Sequence, residues 1–266
     1  MYTLNGYPAH NPTLGWTLTN ATEFVTGTTL TRPEARVPGF DGGWEMDGVE
    51  DVPALSLTWV VDYDKIDGLR NVLRSPSLIL GKGDEGRTAV VELSAYAPTR
   101  KGDSFDSAYE VKASLVIPGI WLRGPEVTET VALETDTKTC NLLAGMTGKV
   151  SDGLIVLTGP IATGVRVQDV GGLSWVKFNQ PVPAGSSLRI DQTFGRAHMT
   201  TSGDGFTGGA EVTQHLETGP GPYSLRLTPT LSAADPSITQ PKLRVTSTGR
   251  TDTSAISMRA RPAYNL

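Results

Sequence analysis

The amino-acid sequence predicts a mainly β protein in two domains, of which only the first contains an α-helix. Short segments of alternating apolar and polar residues recur along the 266 residues, and such alternation is typical of strands with one buried face. Turn formers separate these segments, since the chain has 30 Gly and 18 Pro. Only residues 63–74 show the spacing of an amphipathic helix. We therefore expect an N-terminal β-sandwich-like domain with one α-helix, followed by a C-terminal β-sandwich.

The composition limits the classes of function. Hydrophobic residues make up 38% and charged residues 19% of the chain, which is typical of a folded protein. No apolar run reaches the roughly 20 residues of a membrane-spanning helix, and the first residues lack the features of a secretory signal. Cys140 is the only cysteine, so an intrachain disulfide is excluded and a buried, inert thiol is expected.

Charge is distributed unevenly between the two halves. Residues 1–122 carry 10 Lys and Arg against 16 Asp and Glu, a net charge of −6, whereas residues 123–266 carry 13 against 12, a net charge of +1. The sequence pI is about 5.3. An acidic chain of this kind lacks the basic surface with which proteins wrap nucleic acids.

The first 50 residues contain short strand candidates at residues 2–4, 15–19 and 28–31. Residues 36–44 then combine several turn formers, because Pro38-Gly39 and Asp41-Gly42 each favour a tight turn. This segment is interpreted either as a simple connector or as a surface for assembly.

A strand–helix–strand unit follows, and it is the most regular stretch of the chain. Its first strand has apolar residues at alternate positions: Leu55, Leu57, Trp59 and Val61. Asp62 and Asp64 are candidate N-caps for the helix at residues 63–74. That helix has one apolar stripe, formed by Ile66, Leu69, Val72 and Leu73. Pro76 ends it, and a second strand is predicted at residues 88–96.

The first domain ends with a strand at residues 109–117 and a segment rich in Pro and Gly. Pro118, Trp121 and Pro125 are candidate residues of the junction between the domains. The helical spacing does not return beyond this segment. We therefore place the domains at residues 1–122 and 123–266.

The second domain is predicted to consist almost entirely of strands. Candidate strands lie at residues 128–134, 154–158, 164–169, 173–178, 187–191, 193–199, 211–216, 223–228, 243–247 and 255–260. Turn signals such as Gly171-Gly172 and Pro183-Ala184-Gly185 fall between them. A β-sandwich of about 140 residues accounts for this pattern.

No motif in the sequence predicts a catalytic, cofactor or metal site. Phosphate-binding loops, nucleophile elbows and zinc-binding histidine pairs are absent. His10, His198 and His215 are isolated in the sequence. Asp62, Asp64 and Asp67 depart from calcium-loop spacing, with Leu73 at the twelfth position. Two further candidates, an acidic run and a set of tryptophans, are more simply explained as solvated loop and core residues: Glu45, Asp47, Glu50 and Asp51, and Trp16, Trp44, Trp59, Trp121 and Trp175.

Several short motifs resemble those of the distal tail proteins (Dit) of long-tailed bacteriophages, often called minor tail proteins in phages of actinobacteria. The motifs are Arg36-Val-Pro-Gly-Phe-Asp-Gly42, residues 55–80, Gly185-Ser-Ser-Leu-Arg-Ile-Asp191, Gly221-Pro-Tyr-Ser-Leu-Arg-Leu-Thr-Pro229 and the final Arg259-Ala-Arg-Pro-Ala-Tyr264. They are spread over nearly the whole chain.

The resemblance implies a virion structural protein of the tail tip, or baseplate, made in the cytoplasm of the host bacterium. Members of the family form a hexameric ring through the N-terminal domain and carry a galectin-like C-terminal β-sandwich. By this resemblance, the partners would be further copies of the chain, the tail tube protein, the tail hub and the tape-measure protein, with DNA passing through the channel. No cofactor, metal or catalytic activity is implied. The oligomer interface would include the residues of the first motif and its neighbour: Arg36, Val37, Gly39, Asp41, Gly42 and Trp44.

Two other classes of function stay open at this point. A carbohydrate-binding or host-receptor adhesion module would need an aromatic platform, for which Trp175 with Phe178 or Tyr223 are candidates, although Trp175 and Phe178 should point to opposite faces of a strand. A glycan-cleaving enzyme would need two converging carboxylates. For the ring, the acidic N-terminal half suggests a channel that repels DNA phosphates.

Overall fold

The structure is a computed structural model that describes most of the chain. It covers residues 1–23, 30–31, 35–36, 43–44, 49–50, 52–83, 85–102, 108–119, 122–172, 174–201, 203–219, 225–232, 235 and 237–264. Contacts between residues divide the chain into two compact units. Unit 1 contains Met1–Arg123 and unit 2 contains Gly124–Tyr264.

Unit 1 is built on antiparallel strands with one α-helix. The strands are β1 (Tyr2–Leu4), β2 (Tyr7–Pro8), β3 (Trp16–Glu23), β4 (Leu30–Thr31), β5 (Ala35–Arg36), β6 (Gly43–Trp44), β7 (Val49–Glu50), β8 (Ala54–Asp62), β9 (Leu78–Lys82), β10 (Arg87–Lys101), β11 (Ala108–Val116) and β12 (Leu122–Arg123). The helix is α1 (Ile66–Leu73), and two 3₁₀ turns lie at Pro12–Leu14 and Tyr63–Lys65.

The long strand β10 connects two parts of the unit 1 sheet, whose strand order is β2-β1-β9-β10-β11-β8-β3. Its first residues, 87–91, pair with β9, whereas residues 92–101 pair with β11. The register shifts between Leu93 and Ala95, and such a bulge bends a strand and increases its twist. A strand that changes sheet at a bulge is typical of a sandwich-like β domain.

The core of unit 1 lies between α1 and one face of this sheet. Alternate residues of β8 are fully buried, and so are Leu69 and Leu73 of the helix. Trp59 is the largest of these buried side chains, and its Nε1–H donates a hydrogen bond of 2.7 Å to the backbone oxygen of Ala9. The amphipathic stripe of residues 63–74 therefore provides the helical side of the core, as the sequence predicts.

Unit 2 consists of two antiparallel sheets. The first has the order β13-β24-β15-β18-β19-β20, and the second has the order β14-β23-β16-β17-β21, with β22 also paired to β23. The strands are β13 (Val127–Ala132), β14 (Thr137–Asn141), β15 (Leu154–Thr158), β16 (Val165–Asp169), β17 (Trp175–Phe178), β18 (Ser187–Asp191), β19 (Arg196–Thr200), β20 (Ala210–Glu211), β21 (Leu216–Thr218), β22 (Pro229–Leu231), β23 (Thr239–Thr246), β24 (Ala255–Ala260) and β25 (Ala263–Tyr264).

The central strands of both unit 2 sheets bury side chains on the faces that point into the sandwich. In the first sheet these include Ile155, Leu157 and Ile190, and in the second they include Val167 and Val176. Two antiparallel sheets that each have one apolar face form a β-sandwich. The predicted fold class, mainly β with one α-helix and sandwich-like domains, is thus confirmed for the described residues.

The structure also corrects several predicted elements. The predicted helix begins with a 3₁₀ turn, and neither Asp62 nor Lys65, the residues at the N-cap positions of the turn and of α1, makes a side-chain cap hydrogen bond. An additional strand, β9, lies between the helix and β10. The strand predicted at residues 211–216 is instead a two-residue strand, a 3₁₀ turn at Thr213–His215 and the start of β21.

Candidate assembly surfaces

The described residues contain no cluster of three or more His, Cys, Asp or Glu side chains that could hold a metal ion. His198 lies on β19 directly opposite Glu211 of β20. His215 lies in a 3₁₀ turn rather than on a strand, and its ring packs edge-on against Phe178 with 6.3 Å between the centroids. These two histidines therefore belong to separate environments. No helix among the described residues is long and apolar enough to cross a membrane.

The aspartates around the start of α1 form local ion pairs. Asp64 lies 2.9 Å from the Lys65 amine, and Asp67 lies 2.6 Å from the Arg70 guanidinium. The hydrogen bond from Lys65 lowers the pKa of the Asp64 carboxyl, although the group is fully exposed. Because each of these two carboxylates faces a neighbouring cation, the segment is a solvated helix start rather than a calcium loop.

The aromatic residues proposed for sugar stacking do not form an open platform. Phe178 is buried, whereas Trp175 is half-buried on the opposite face of β17, as the strand spacing predicts. The guanidinium of Arg166 lies over the Trp175 ring at 4.4 Å from its centroid. Tyr223 lies outside the described residues. The indole of Trp175 is therefore covered on one side by a cation.

The segment that contains the predicted interface residues includes four short strands, which form two pairs. Leu30 pairs with Glu50 and Thr31 with Val49. Further along, the β5 residues pair with Trp44 and Gly43 of β6. Both pairings are antiparallel, and β5 and β6 lie between β4 and β7 in the sequence, so we refer to these four strands together as the hairpin.

Two of the six predicted interface residues are on this hairpin, namely Arg36 on β5 and Trp44 on β6. The other four lie outside the described residues: Val37, Gly39, Asp41 and Gly42. Of the junction candidates, Pro118 and Pro125 are exposed, and Trp121 lies outside the described residues. The division between the two units falls between Arg123 and Gly124.

One face of the unit 1 sheet is mostly polar, although Val60 and Val90 are exposed on it. It is the face of β10, β11, β8 and β3 that points away from α1. Ser56 of β8 and Ser114 of β11 lie opposite each other there, with 3.2 Å between their hydroxyl oxygens. Small and polar side chains dominate the same face: Thr17, Asn20, Thr22, Thr58, Ala95, Ala97, Thr99. We call this surface the open face.

The charges on the open face are largely balanced. Glu110 lies 3.0 Å from the Lys101 amine and 3.4 Å from the Lys112 amine. These lysines lower the pKa of the Glu110 carboxyl, chiefly through the hydrogen bond from Lys101. Asp62 and Glu92 occupy the same face by strand register. The described part of this face is therefore close to neutral rather than strongly acidic.

Two of the strands that form the open face have an edge that is unpaired along most of its length within the described part of the chain. Residues 94–101 of β10 pair with β11 on one side only, and β3 pairs with β8 on one side and, on the other, only through a bridge between Trp16 and Asn11. Unpaired backbone groups along a strand edge can hydrogen-bond a strand from another chain. Both edges border the open face, so the two features form one continuous surface.

Aromatic and cation–π contacts connect residues 96–100 of β10 to the segments just before and just after α1. The rings of Tyr63 and Tyr109 are stacked with 5.8 Å between their centroids, and the Arg100 guanidinium lies 5.7 Å from the Tyr63 centroid. Arg74, just after α1, lies over Tyr96 at 5.9 Å. These contacts fix the direction of a strand that is otherwise mostly exposed.

Comparison with known proteins finds similarity at the level of structure. No protein family profile and no curated protein sequence matches this chain. The crystal structure of SPP1 Dit (gp 19.1), described as a paradigm of the hub adsorption apparatus in phages that infect Gram-positive bacteria, matches with a TM-score of 0.55 and 16% identity. The match covers 98% of this chain and 99% of that chain. At this identity the similarity establishes a shared fold.

Structures of the phage p2 baseplate in its activated conformation, with Sr and with Ca, match more weakly. Their TM-score is 0.33 at 10% identity, over 94% of this chain and 92% of that chain. These weaker likenesses add nothing to the fold assignment.

Proposed function

We propose that this protein is a structural component of the tail tip of a long-tailed phage, of the Dit type, infecting an actinobacterium. The observation that carries the proposal is the fold shared with SPP1 Dit over 98% of this chain, because both the helix-containing unit and the sandwich are included. The motifs that resemble Dit sequences point the same way. The protein would be made in the cytoplasm of the host and incorporated into the virion.

Unit 1 would form the ring, with six copies as the expected number. Its open face and the two largely unpaired strand edges are the support, since a closed ring of sheets removes exposed edges. The adjoining sheets of neighbouring copies would continue one another across these edges. The partners in the tail would be the tube protein on one side and the hub on the other, with the tape-measure protein as a further candidate.

The hairpin with strands β4 to β7 would extend the contact between neighbouring copies. Arg36 and Trp44 are its best candidates, because Arg and Trp are enriched among the residues that dominate binding energy in interfaces. Val37, Gly39, Asp41 and Gly42 complete the proposed interface. Pro118, Trp121 and Pro125 would form the connection between the ring domain and the C-terminal sandwich.

The ring would surround the channel through which DNA leaves the virion. A lining without excess positive charge would let DNA phosphates pass without binding. The near-neutral charge of the open face is compatible with such a lining, and the net charge of −6 on residues 1–122 favours it. In this role the protein acts by assembly and needs neither a cofactor nor a catalytic group.

The proposal is tested by measuring the mass of the full-length protein by light scattering over a range of concentrations. Six copies of the 28.3 kDa chain have a mass of about 170 kDa. Replacing both Arg36 and Trp44 by alanine should reduce this mass to that of the single chain. The far-ultraviolet circular dichroism of the variant should stay unchanged.

A matched control removes an exposed arginine and an exposed aromatic residue from unit 2. Phe194 is 71% exposed, and Arg196 is also exposed. The double variant F194A/R196A should keep the mass of the assembly. A native protein that is monomeric at every concentration, or a control that dissociates as fully as R36A/W44A, contradicts the proposal.

A further inference from the structure

The second sheet of the unit 2 sandwich has an outer face on which four cations lie together. Arg166 is on β16, Lys177 is on β17, and Lys242 and Arg244 are on β23. Their side chains alternate with buried residues, so all four point away from the sandwich core. We call these four residues the cationic track.

The pairing register arranges the cationic track as a continuous path across three strands. Lys242 and Arg244 are two positions apart on one strand, a distance of about 7 Å. Arg244 and Arg166 are diagonal neighbours, because Arg166 pairs with Thr246, and such neighbours lie about 7–8 Å apart. Arg166 is directly opposite Lys177, at about 5 Å.

The positive charge of the track is mostly uncompensated. Two like charges directly opposite each other, such as Arg166 and Lys177, destabilise a sheet. Glu217 is the only carboxylate that the described strands place on this face, and it lies 3.8 Å from the Lys177 amine, at one end of the track. Within the described part of the chain, Lys242 and Arg244 have no ion-pair partner. A bound anion would relieve this repulsion.

The most constrained member of the track is Arg166. Its guanidinium lies over the Trp175 ring at 4.4 Å, and its Nε–H is buried without a hydrogen-bond acceptor among the described residues. Gly219 allows the backbone after β21 to lie close to the same ring, since a Cβ there would lie 2.8 Å from the Trp175 Nε1. A guanidinium held in one orientation loses little freedom when it binds a phosphate or carboxylate through two hydrogen bonds.

The other outer face of the same sandwich is closed by its own chain. Arg259 there is paired with Asp204 at 2.9 Å and lies over the Phe206 ring at 4.0 Å. The loop that carries Phe206 also buries Val156 of β15, because a Cβ on Gly205 would lie 2.7 Å from that side chain. Among the described residues, the face with the cationic track therefore has accessible cations, whereas the other outer face is partly covered by the loop that carries Phe206.

The residues around the track indicate which kind of anion it fits. Hydroxyl and amide side chains flank it on the neighbouring positions: Thr137, Thr139, Asn141, Gln168 and Thr246. The described strands of this face present no exposed large apolar side chain, whereas protein–protein interfaces have an apolar centre. Single-stranded nucleic acids need open aromatic rings for stacking, and Arg166 covers a face of Trp175.

We propose that this face binds a linear, hydroxyl-rich polymer with a phosphodiester in each repeat, such as a polyol-phosphate or sugar-phosphate chain. Successive phosphates would contact Lys242, Arg244, Arg166 and Lys177, and the flanking side chains would hydrogen-bond the hydroxyl groups. The binding is independent of the ring proposed above, because no residue of unit 1 takes part in it.

The test measures binding of poly(glycerol phosphate) to the full-length protein by isothermal titration calorimetry at low and physiological salt. The native protein should bind, and the affinity should fall as the salt concentration rises, because exposed charges are screened. Replacing Lys242 and Arg244 by glutamine should weaken binding at least tenfold. A third variant, W175A, should also weaken binding severalfold, because it frees the Arg166 side chain to move.

The control variant K65Q/R196Q removes two charges from other exposed positions and should bind within about twofold of the native protein. No binding to the native protein, or an equal loss in the control, overturns the proposal. Duplex DNA of equal charge that binds as tightly, and that the K242Q/R244Q change weakens equally, would assign the face to nucleic acid instead. Loss of self-association in K242Q/R244Q without polymer binding would assign it to a second copy of the chain.

Discussion

The two units of this chain differ in how their sheet faces are covered. Unit 2 arranges its described strands in two sheets that bury each other's apolar faces, and a loop carrying Phe206 covers part of one outer face. Unit 1 covers only one face of its sheet with α1, and leaves the open face and most of the edges of β3 and β10 without a described partner. Unit 2 thus buries the apolar faces of both its sheets within one chain, whereas unit 1 leaves one face of its sheet uncovered among the described residues.

This difference is the basis on which we propose assembly for unit 1 and recognition for unit 2. Free edges are a risk of aggregation unless they are covered or used, so their presence in a natural fold favours a dedicated partner. A sandwich whose two sheets bury each other's apolar faces can instead carry a binding surface without changing the assembly. The net charge also differs between the two parts of the chain: it is −6 for residues 1–122 and +1 for residues 123–266.

The largest expected effect on stability comes from removing one large buried aromatic side chain from the core of each unit. Trp59 in unit 1 and Phe178 in unit 2 are both fully buried, so replacing either by alanine should lower the free energy of unfolding by about 3–5 kcal/mol. Only W59A should also reduce the mass measured by light scattering, because the assembly surface is in unit 1. An F178A variant that dissociates as readily as W59A would remove the contrast between the units.

A charge placed on the open face should separate assembly from stability. Ala95 is exposed on β10, and A95E should leave the free energy of unfolding within about 0.5 kcal/mol while lowering the mass to that of one chain. The matched change A210E, at an exposed strand position of unit 2, should leave the mass unchanged. Chemical denaturation and light scattering on both variants give the two readouts.

The helix of unit 1 offers a smaller, stabilising change. Gly68 lies inside α1, and a Cβ there would meet only the Trp16 Cζ2 at 3.5 Å, an ordinary van der Waals contact. G68A should therefore raise the free energy of unfolding by about 0.5–1 kcal/mol, because alanine loses less backbone entropy than glycine. Denaturant unfolding measures the change, and a destabilised G68A would mean that the helix packs more tightly against β3 than the distance suggests.

The smallest effect concerns the pH dependence of unit 2. Burial raises the pKa of the Asp169 carboxyl, although hydrogen bonds from Thr228 and the amides of Gly171 and Gly172 partly oppose the shift. A raised pKa means that the native state binds a proton more readily than the unfolded state, so this contribution to stability is present at low pH and is lost as pH rises through the native pKa.

The D169N variant lacks this titration. Its unfolding free energy relative to the native protein should therefore increase between pH 4 and pH 7, whatever its absolute value at either pH. Denaturant unfolding at three pH values measures the trend. A difference that decreases over this range would show that hydrogen bonding, rather than burial, controls the Asp169 carboxyl.

Local patterns in the sequence were sufficient for the strands that alternate strictly. The strands Leu154–Thr158, Ser187–Asp191 and Ala255–Ala260 have the predicted bounds. The last two each have one apolar and one polar face, whereas the first is apolar from Leu154 to Leu157. The strand β14 was missed because its outward residues are polar and Cys140 is its only fully buried residue. The outer half of β10 was missed for the same reason, since its residues are mostly exposed.

The candidate surfaces depend on strand order, which no local pattern contains. Arg166 and Arg244 are far apart in the sequence and become neighbours only because β16 pairs with β23. The turn formers of residues 36–44 predicted a tight turn, but the nesting of β5 and β6 within β4 and β7 follows from longer-range pairing. Local sequence patterns could assign these residues to strands or turns, but they could not predict which residues become neighbours in the fold.

Hydrogen–deuterium exchange on the native assembly and on the A95E variant tests the central claim most directly. If unit 1 is completed by other copies of the chain, amides of β3 and of residues 94–101 of β10 should exchange more slowly in the assembly than in A95E, with unit 2 unchanged. Protection that is equal in the two proteins, or that differs mainly in unit 2, would contradict the account.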